Sequence, residues 1–277
     1  MKSVLLLSPA KINLTLQVLS KREDGYHNIY TIFQKIDLFD EIKITRGCRI
    51  FTLDFISPEK VDLEENLVYR AYKKFKEKFG IAEEVAIKVR KYIPAGAGLG
   101  GGSSNAGTVL RGLAYLYGIP LKELYDIASQ LGADVPFFLS PYNCAIGEGI
   151  GDRLTPFTNF SAWYLLIFPG FKINTKWAYE NLGLTKSKNP VYYSEQIPPW
   201  HTEQGLINDF KDFLFKNFKI YEKYEKLLKD AGAVEVGISG TGSVIFGIFE
   251  DNPPFFAYQV LREVLQDEKI FIAKNLE

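Results

Sequence analysis

PAGAGLGGGSSNAGT, residues 94–108, places five glycines (Gly96, Gly98, Gly100, Gly101 and Gly102) among the eight positions after Pro94. A glycine costs roughly 0.5–1 kcal/mol of backbone entropy relative to alanine in regular structure, so something here requires a bare backbone. The stretch follows the β-branched run Val85 to Val89 and precedes Val109, Leu110, Leu113 and Leu116, which recur at helical spacing before Gly118. This pattern predicts strand, glycine loop, and a helix from Ser104 to Tyr117. In such an arrangement successive backbone N–H groups and a helix N-terminus point at one place and bind an anion. Ser103 and Ser104 can cap the helix, donate to a phosphate or reach its Mg²⁺. The alternative is a linker or plain tight turn, but a linker has no reason to lie between a strand and an amphipathic helix.

Two familiar nucleotide fingerprints do not fit. GLGGGSS lacks the lysine with which a P-loop reaches the β and γ phosphates. Gly96, Gly98 and Gly101 spell GxGxxG, but a second helix, Leu121 to Leu131, follows where a dinucleotide fold needs a strand ending in an acidic residue. Phosphates bound here would be held mainly by backbone.

The chain of 277 residues suffices for one large domain or two ordinary ones. Lys plus Arg and Asp plus Glu both number 33, so no overall basic field recruits nucleic acid or an anionic membrane, and a small ligand is favoured. Two distant cysteines, Cys48 and Cys144, make no metal knuckle and suit a reducing cytoplasm. Val4 to Leu7 is too short for a signal-peptide core. Ala162 to Phe168 falls far below the ~20 residues of a membrane span and reads as a buried strand.

KINLTLQV at 11–18 alternates apolar and polar, which predicts a half-buried strand with Lys11 and Asn13 on one face. Strand-like pieces run from Tyr30 to Ile44, and a helix is expected from Glu65 to Phe79. After residue 155 the chain begins again. WYLLIF is a strand, Thr175 to Leu182 a helix, Thr185 to Pro199 a polar loop, and helices cover about 203–217 and 219–231. The strands Val234 to Ile238 and Val244 to Phe249 flank SGTGS, and a helix at about 254–266 leads to the strand Ile270 to Ala273. The expectation is an α+β protein of two halves, 1–155 and 156–277, sharing a cleft.

Single residues admit two readings each. Asp134 in GADVPFF is either a helix N-cap or a functional carboxylate. Lys11 is either a solvated lysine on a strand edge or part of a site. Gly25, Tyr26 and His27 form a turn whose rings suit a flat heterocycle, although turn histidines commonly serve only the surface. The SGTG hairpin, Ser239 to Gly242, can be only a tight turn. His201 has no partner in reach by spacing.

Together, SPAKINL at 8–14, PAGAGLGGGSSNAGT at 94–108 and GISGTGSVIFG at 237–247 resemble the GHMP small-molecule kinase superfamily, in family order and across nearly the whole chain. DGYHNIYTIFQ at 24–34 and LGADVPFF at 131–138 are similar to its branch that phosphorylates a cytidine-diphosphate-linked methylerythritol on the non-mevalonate isoprenoid route. The resemblance implies a two-domain α+β fold: an N-terminal half like the second domain of ribosomal protein S5, a ferredoxin-like C-terminal half, and an active site in the cleft between them. ATP phosphates would lie over Pro94, Ala95, Gly96, Ala97, Gly98, Leu99, Gly100, Gly101, Gly102, Ser103 and Ser104. Mg²⁺ would accompany the ATP, with Ser104 as the candidate protein ligand. Lys11 and Asp134 fall on the catalytic positions. Asn13, Tyr26, His27, Tyr179, Ser239, Gly240, Thr241 and Gly242 fall on substrate positions, with Trp177 competing with Tyr179 to stack on the cytosine.

The partners implied are ATP and a small-molecule substrate, with neither nucleic acid nor membrane, for a monomer or weak homodimer. Ala95 and Ala97 depart from many relatives by small changes, and the acidic Mg²⁺ ligand of some members has no clear equivalent. Two rivals are a homoserine- or mevalonate-type kinase, disfavoured by GYH and GADVPFF, and a non-catalytic kinase-like sensor, disfavoured by retention of both Lys11 and Asp134.

Overall fold

The computed structural model describes residues 2–58, 60–184 and 187–277, so the first two positions of the polar loop expected from Thr185 lie outside the described residues. The chain divides into two compact units built from interleaved segments. The first comprises Met1–Ala10, Leu38–Pro94 and Gly100–Tyr142, and the second Lys11–Asp37, Ala95–Leu99 and Asn143–Glu277. Two long strands, β1 (Ser3–Lys21) and β2 (His27–Cys48), contribute residues to both units.

In the first unit the later half of β2 pairs antiparallel with β4 (Glu84–Arg90), with Ile42 opposite Val89 and Ile44 opposite Ile87. The short strand β3 (Thr52–Ile56) adds to β4 in parallel, setting Leu53 beside Ile87 and Phe55 beside Val89. Helix α1 (Leu67–Phe79) begins at Asn66, whose side chain accepts from the Val68 N–H, and ends at Gly80 in the left-handed conformation. Its Val68, Ala71, Tyr72 and Phe75 are buried with Val109, Leu110 and Leu113 of α2 (Gly101–Tyr117) against the β-branched sheet face. Burying each Val, Leu or Phe of this set stabilises by roughly 1.5–3 kcal/mol. A 3-10 turn (Leu121–Leu124), α3 (Tyr125–Leu131) and α4 (Val135–Leu139) complete the unit.

In the second unit the earlier half of β2 pairs antiparallel with β5 (Cys144–Gly149), which pairs with β6 (Arg153–Pro156). A separate antiparallel sheet runs in the order β10 (Lys269–Lys274), β7 (Trp163–Phe168), β9 (Ile245–Phe249), β8 (Glu235–Ile238). Its core gathers Leu165, Ile167, Val236 and Ile245 with Tyr221, Tyr224 and Leu228 of α7 (Ile220–Asp230) and Leu261 of α8 (Phe255–Val264). Helices α5 (Thr175–Asn181) and α6 (Lys211–Asn217) complete it.

Several expectations need correction. Helix α2 starts at Gly101, three residues before Ser104, because Gly100 in a left-handed turn (φ 67°) serves as its N-cap; no side chain caps it. The helix expected from 203 begins only at Lys211. Before it, Gly205 has φ 57°, and the Ile207 carbonyl and Asp209 N–H bond to Leu16 of β1 instead of to helical neighbours. Strand β1 is buried on both faces from Ala10 to Val18, not half-buried. Strands β3, β5 and β6 were not anticipated, although FTLDF at 51–55 alternates and places Leu53 and Phe55 against the core.

Candidate active site

In the first unit the glycine stretch ends in the first turn of α2. The first intrahelical bond there runs from Ser104 N–H to Gly100 O at 2.8 Å, which leaves the N–H groups of Gly101, Gly102 and Ser103 without a helical acceptor. No acidic residue stands in this turn, so its positive end is not offset by side-chain charge. Gly102 is exposed and Ser103 half-buried, whereas Ser104 is fully buried with its hydroxyl 2.7 Å from that of Ser8.

Helix α4 lies close on α2, since a Cβ on Gly107 would come within 2.8 Å of Phe138 Cβ. The segment leading into α4 passes near the same turn, with Ser103 Oγ 3.9 Å from the Cβ position of Gly132. Asp134 occupies the N-cap position of α4 and is half-buried, but its side chain makes no capping bond. The purely structural reading of this carboxylate therefore lacks its expected hydrogen bond.

In the second unit the polar face of β1 is a hydrogen-bonded ladder. Lys11 Nζ donates to Asn13 Oδ1 at 2.6 Å, Asn13 Nδ2 to Thr31 Oγ1 at 2.7 Å, and Thr31 Oγ1 to the Thr15 carbonyl at 2.6 Å. Further along, Gln17 bonds the backbone N–H and carbonyl of Val191. Lys11 and Asn13 are each only 4 % exposed, so Lys11 is not a solvated edge lysine. A buried ammonium is costly unless polar groups or opposite charge meet it, and Asn13 Oδ1 is one such group.

Residues 95–99 fold against the same region. Lys11 N–H donates to Leu99 O at 3.0 Å, Val244 N–H to Ala97 O at 3.1 Å, and Ser239 Oγ to Gly98 O at 2.8 Å. Gly98 has φ 79°, and a Cβ there would fall 2.1 Å from the Ser239 carbonyl oxygen. The SGTG hairpin is thus a built contact with the glycine loop, not only a turn. It is held in turn by Asn208 Nδ2, which donates to the carbonyls of Ile238 and Gly240. Thr241 approaches Thr175 at 3.4 Å. The stem of Lys172 lies over Gly96, whose φ is 67°.

Tyr26 stands 60 % exposed after the Gly25 turn. His27 stacks on Tyr179 with ring centroids 4.9 Å apart and 28° between planes, and Tyr179 meets Phe210 edge-on. Burial, aided by the nearby Lys21 charge, lowers the His27 pKa from its usual value. Trp177 instead packs on Phe213 and Phe218. His201 proves to have a partner, Glu250, at 2.7 Å.

The second unit therefore gathers Lys11, Asn13, Ala97–Leu99 and Ser239–Gly242, with His27 and Tyr179 as a stacked pair, while Pro94, Gly100–Ser104 and Asp134 belong to the first. Thr15, Gln17, Thr31 and Asn208 were not anticipated. The alternation of β1 signalled two of these, but nothing local marked Thr31 or Asn208. Among the described residues no group of three or more His, Cys, Asp or Glu side chains could hold a metal ion, and no helix is long and apolar enough to cross a membrane.

Comparison with known proteins agrees with this architecture. Residues 66–141 match the GHMP kinases N terminal domain family. The chain is 42 % identical over 257 residues to a 4-diphosphocytidyl-2-C-methyl-D-erythritol kinase of Syntrophus aciditrophicus, covering 89 % of this chain and 90 % of that protein. A protein of the same name from Geobacter sp. strain M21 is 40 % identical, with 91 % of each chain covered. Among solved structures, a 4-(cytidine 5'-diphospho)-2C-methyl-D-erythritol kinase superposes with TM-score 0.84 at 32 % identity over 99 % of this chain and all of that one. A homoserine kinase from Cytophaga hutchinsonii shares the fold at TM-score 0.66 and 17 % identity, over 100 % of this chain and 95 % of that one.

Proposed function

This chain belongs to the GHMP kinases and, within them, to the 4-diphosphocytidyl-2-C-methyl-D-erythritol kinase family, and we propose that it transfers the γ-phosphoryl group of ATP to the 2-hydroxyl of that cytidine diphosphate alcohol. The observation that carries this is the 42 % identity maintained over 89 % of the chain with a kinase of that name. Homoserine and mevalonate kinases share the fold at much lower identity, so the reading favours the cytidine-linked substrate.

In the proposed reaction the 2-hydroxyl oxygen bonds to the γ-phosphorus as the bond from that phosphorus to the β,γ-bridging oxygen breaks and ADP leaves. Charge spreads over the phosphoryl oxygens in a loose transition state, so stabilisation and positioning are the main catalytic tasks. The N–H groups of Gly101, Gly102 and Ser103 are the proposed donors to the ATP phosphates, supported by their position at the N-terminus of a long helix.

Asp134 is proposed to accept or orient the proton of the acceptor hydroxyl, and Lys11 to offset phosphate charge. Asn13 would contact the acceptor while holding the Lys11 ammonium, and Ser239–Gly242 would fix the loop beside them. Tyr26, His27 and Tyr179 are the proposed cytosine site, with Tyr179 favoured over Trp177 because its ring is already stacked on His27. Mg²⁺ would arrive on the ATP phosphates and neutralise their charge. The Ser104 hydroxyl is engaged by Ser8, so the donor set fits a nucleotide-borne ion better than one held by protein side chains.

A coupled ADP-release assay tests the reading with 4-diphosphocytidyl-2-C-methyl-D-erythritol, homoserine and mevalonate as parallel acceptors. Turnover confined to the first is expected. Turnover of another acceptor, or of none, would refute the proposal.

A further inference from the structure

The first unit contains a buried charged cluster that the proposed chemistry does not use. Asp40, on β2, is completely buried, and the Lys91 side chain is 6 % exposed. One oxygen of Asp40 accepts two backbone N–H bonds, from Tyr92 at 2.7 Å and Ile93 at 2.9 Å. Its other oxygen accepts from Lys91 Nζ and from Asn105 Nδ2, the latter at 2.8 Å. Asn105 closes the ring by accepting from Lys91 Nζ at 3.0 Å and donating to Ser8 Oγ at 2.9 Å, and Ser8 meets the Ser104 hydroxyl.

Tyr92 and Ile93 are the last residues before the glycine loop starts at Pro94, while Ser104 and Asn105 lie in the first turns of the helix that ends it. A single carboxylate thus holds both stems of the loop. Stability alone is a poor account of such a cluster, because a buried ion pair is often replaceable by apolar residues without loss. An apolar replacement could not, however, accept two backbone N–H groups on one stem and an amide on the other. Gly101 leaves room for the arrangement, since a Cβ there would stand 3.0 Å from Lys91 Nζ. Burial holds the Lys91 pKa below its usual value, an effect that Asp40 opposes.

We propose that Asp40, with Lys91 and Asn105, is a positioning clamp that sets the spacing between the two stems of the glycine loop and thereby the aim of the Gly101–Ser103 amides at the nucleotide phosphates. This rests on the reading of the loop as the ATP site. The clamp touches no substrate, so its loss weakens nucleotide binding selectively and leaves the cytidine ligand alone.

The test is calorimetric titration of the full chain with ADP and, separately, with CDP, for wild type, Asp40→Asn and Asn105→Ala, together with hydrogen exchange over residues 94–105 of the ligand-free proteins. Each variant should raise the ADP Kd by at least about tenfold, the scale of a lost charge-assisted hydrogen bond, speed exchange in the loop, and leave the CDP Kd within twofold. If Asp40→Asn fails to fold, Asn105→Ala decides, because it cuts only the tie to the helix and keeps the Asp40–Lys91 pair. A folded variant with unchanged ADP Kd, or with ADP and CDP weakened alike, overturns the clamp. Failure of wild type to bind ADP overturns the ATP reading itself and the clamp with it.

Discussion

The carbonyl oxygen of Ser239 lies 2.1 Å from the point that a Cβ on Gly98 would occupy, so the SGTG hairpin and the glycine loop meet backbone to backbone. Gly102 is different: the nearest atom to its Cβ position is a Leu67 methyl at 3.6 Å, ordinary contact distance. The glycines of one loop therefore serve two purposes. Gly96, Gly98 and Gly100, at positive φ, let the chain turn, and Gly98 also lets it pack. Gly102 leaves a helix N-terminus open.

Gly98→Ala should destabilise the protein by about 2 kcal/mol or more, combining left-handed strain with collision against fixed backbone. Gly102→Ala should leave Tm unchanged or raised, because alanine is favoured over glycine in helices by up to about 1 kcal/mol. The same variant should raise the KM for ATP severalfold if a phosphate approaches that amide. Thermal melts and initial rates on both proteins check this, and an unaltered KM in Gly102→Ala would move the phosphates elsewhere.

Asp134→Asn should lower kcat by roughly 10²-fold or more with little change in either KM, as expected for a group that handles the reacting proton. A helix cap would show the opposite pattern, with about 1 kcal/mol of stability lost and kcat retained.

Tyr179→Ala and Trp177→Ala should separate cleanly. Base stacking is worth about 1–3 kcal/mol, so loss of the Tyr179 ring should raise the KM for the cytidine substrate roughly 5- to 150-fold while ATP affinity holds. Trp177→Ala removes packing on Phe213 and Phe218 and should cost about 1–2 kcal/mol of stability without that KM effect. The reverse result would transfer the stacking role to Trp177.

Thiol chemistry gives a check on the fold alone. Burial pushes the Cys144 thiol up to about 12, and the residue is 3 % exposed, whereas Cys48 is half-buried. The thiolate is the reactive form, so a raised pKa means protection throughout the neutral range. Native protein at pH 8 should incorporate one equivalent of a maleimide, at Cys48, and a second only after denaturation. Rapid native labelling of Cys144, read by peptide mass, would contradict its place in β5.

Elements with a strong local period were legible in the chain. Helix α1 could be read from its apolar spacing and Gly80, and β7 from its length and apolar run. The start of α2 was misplaced because glycines are poor helix formers, and only the left-handed turn at Gly100 shows that they begin the helix. The segment before Lys211 contains Gly205, Asn208 and Asp209, which are poor helix formers, and its backbone bonds are taken by Leu16, a partner that no local window contains. At the candidate site, the alternation of β1 put Lys11 and Asn13 on one face, and the motifs named Asp134 and the loop. Burial of that polar face and the Thr31 and Asn208 supports depended on residues distant in sequence.

The sequence by itself determined the α+β class, the strand–glycine loop–helix arrangement and, through three separate motifs, the superfamily, with two further motifs pointing to one branch of it, because these rest on short-range periodicity and on residue chemistry at fixed spacing. Tertiary structure alone decided what the glycines are for and which polar groups support them. Hydrogen bonds from Ser239 to Gly98, from Asn13 to Thr31 and from both loop stems to Asp40 join residues far apart along the chain. Their strength depends on burial and distance, and neither is a property of any stretch of sequence read alone.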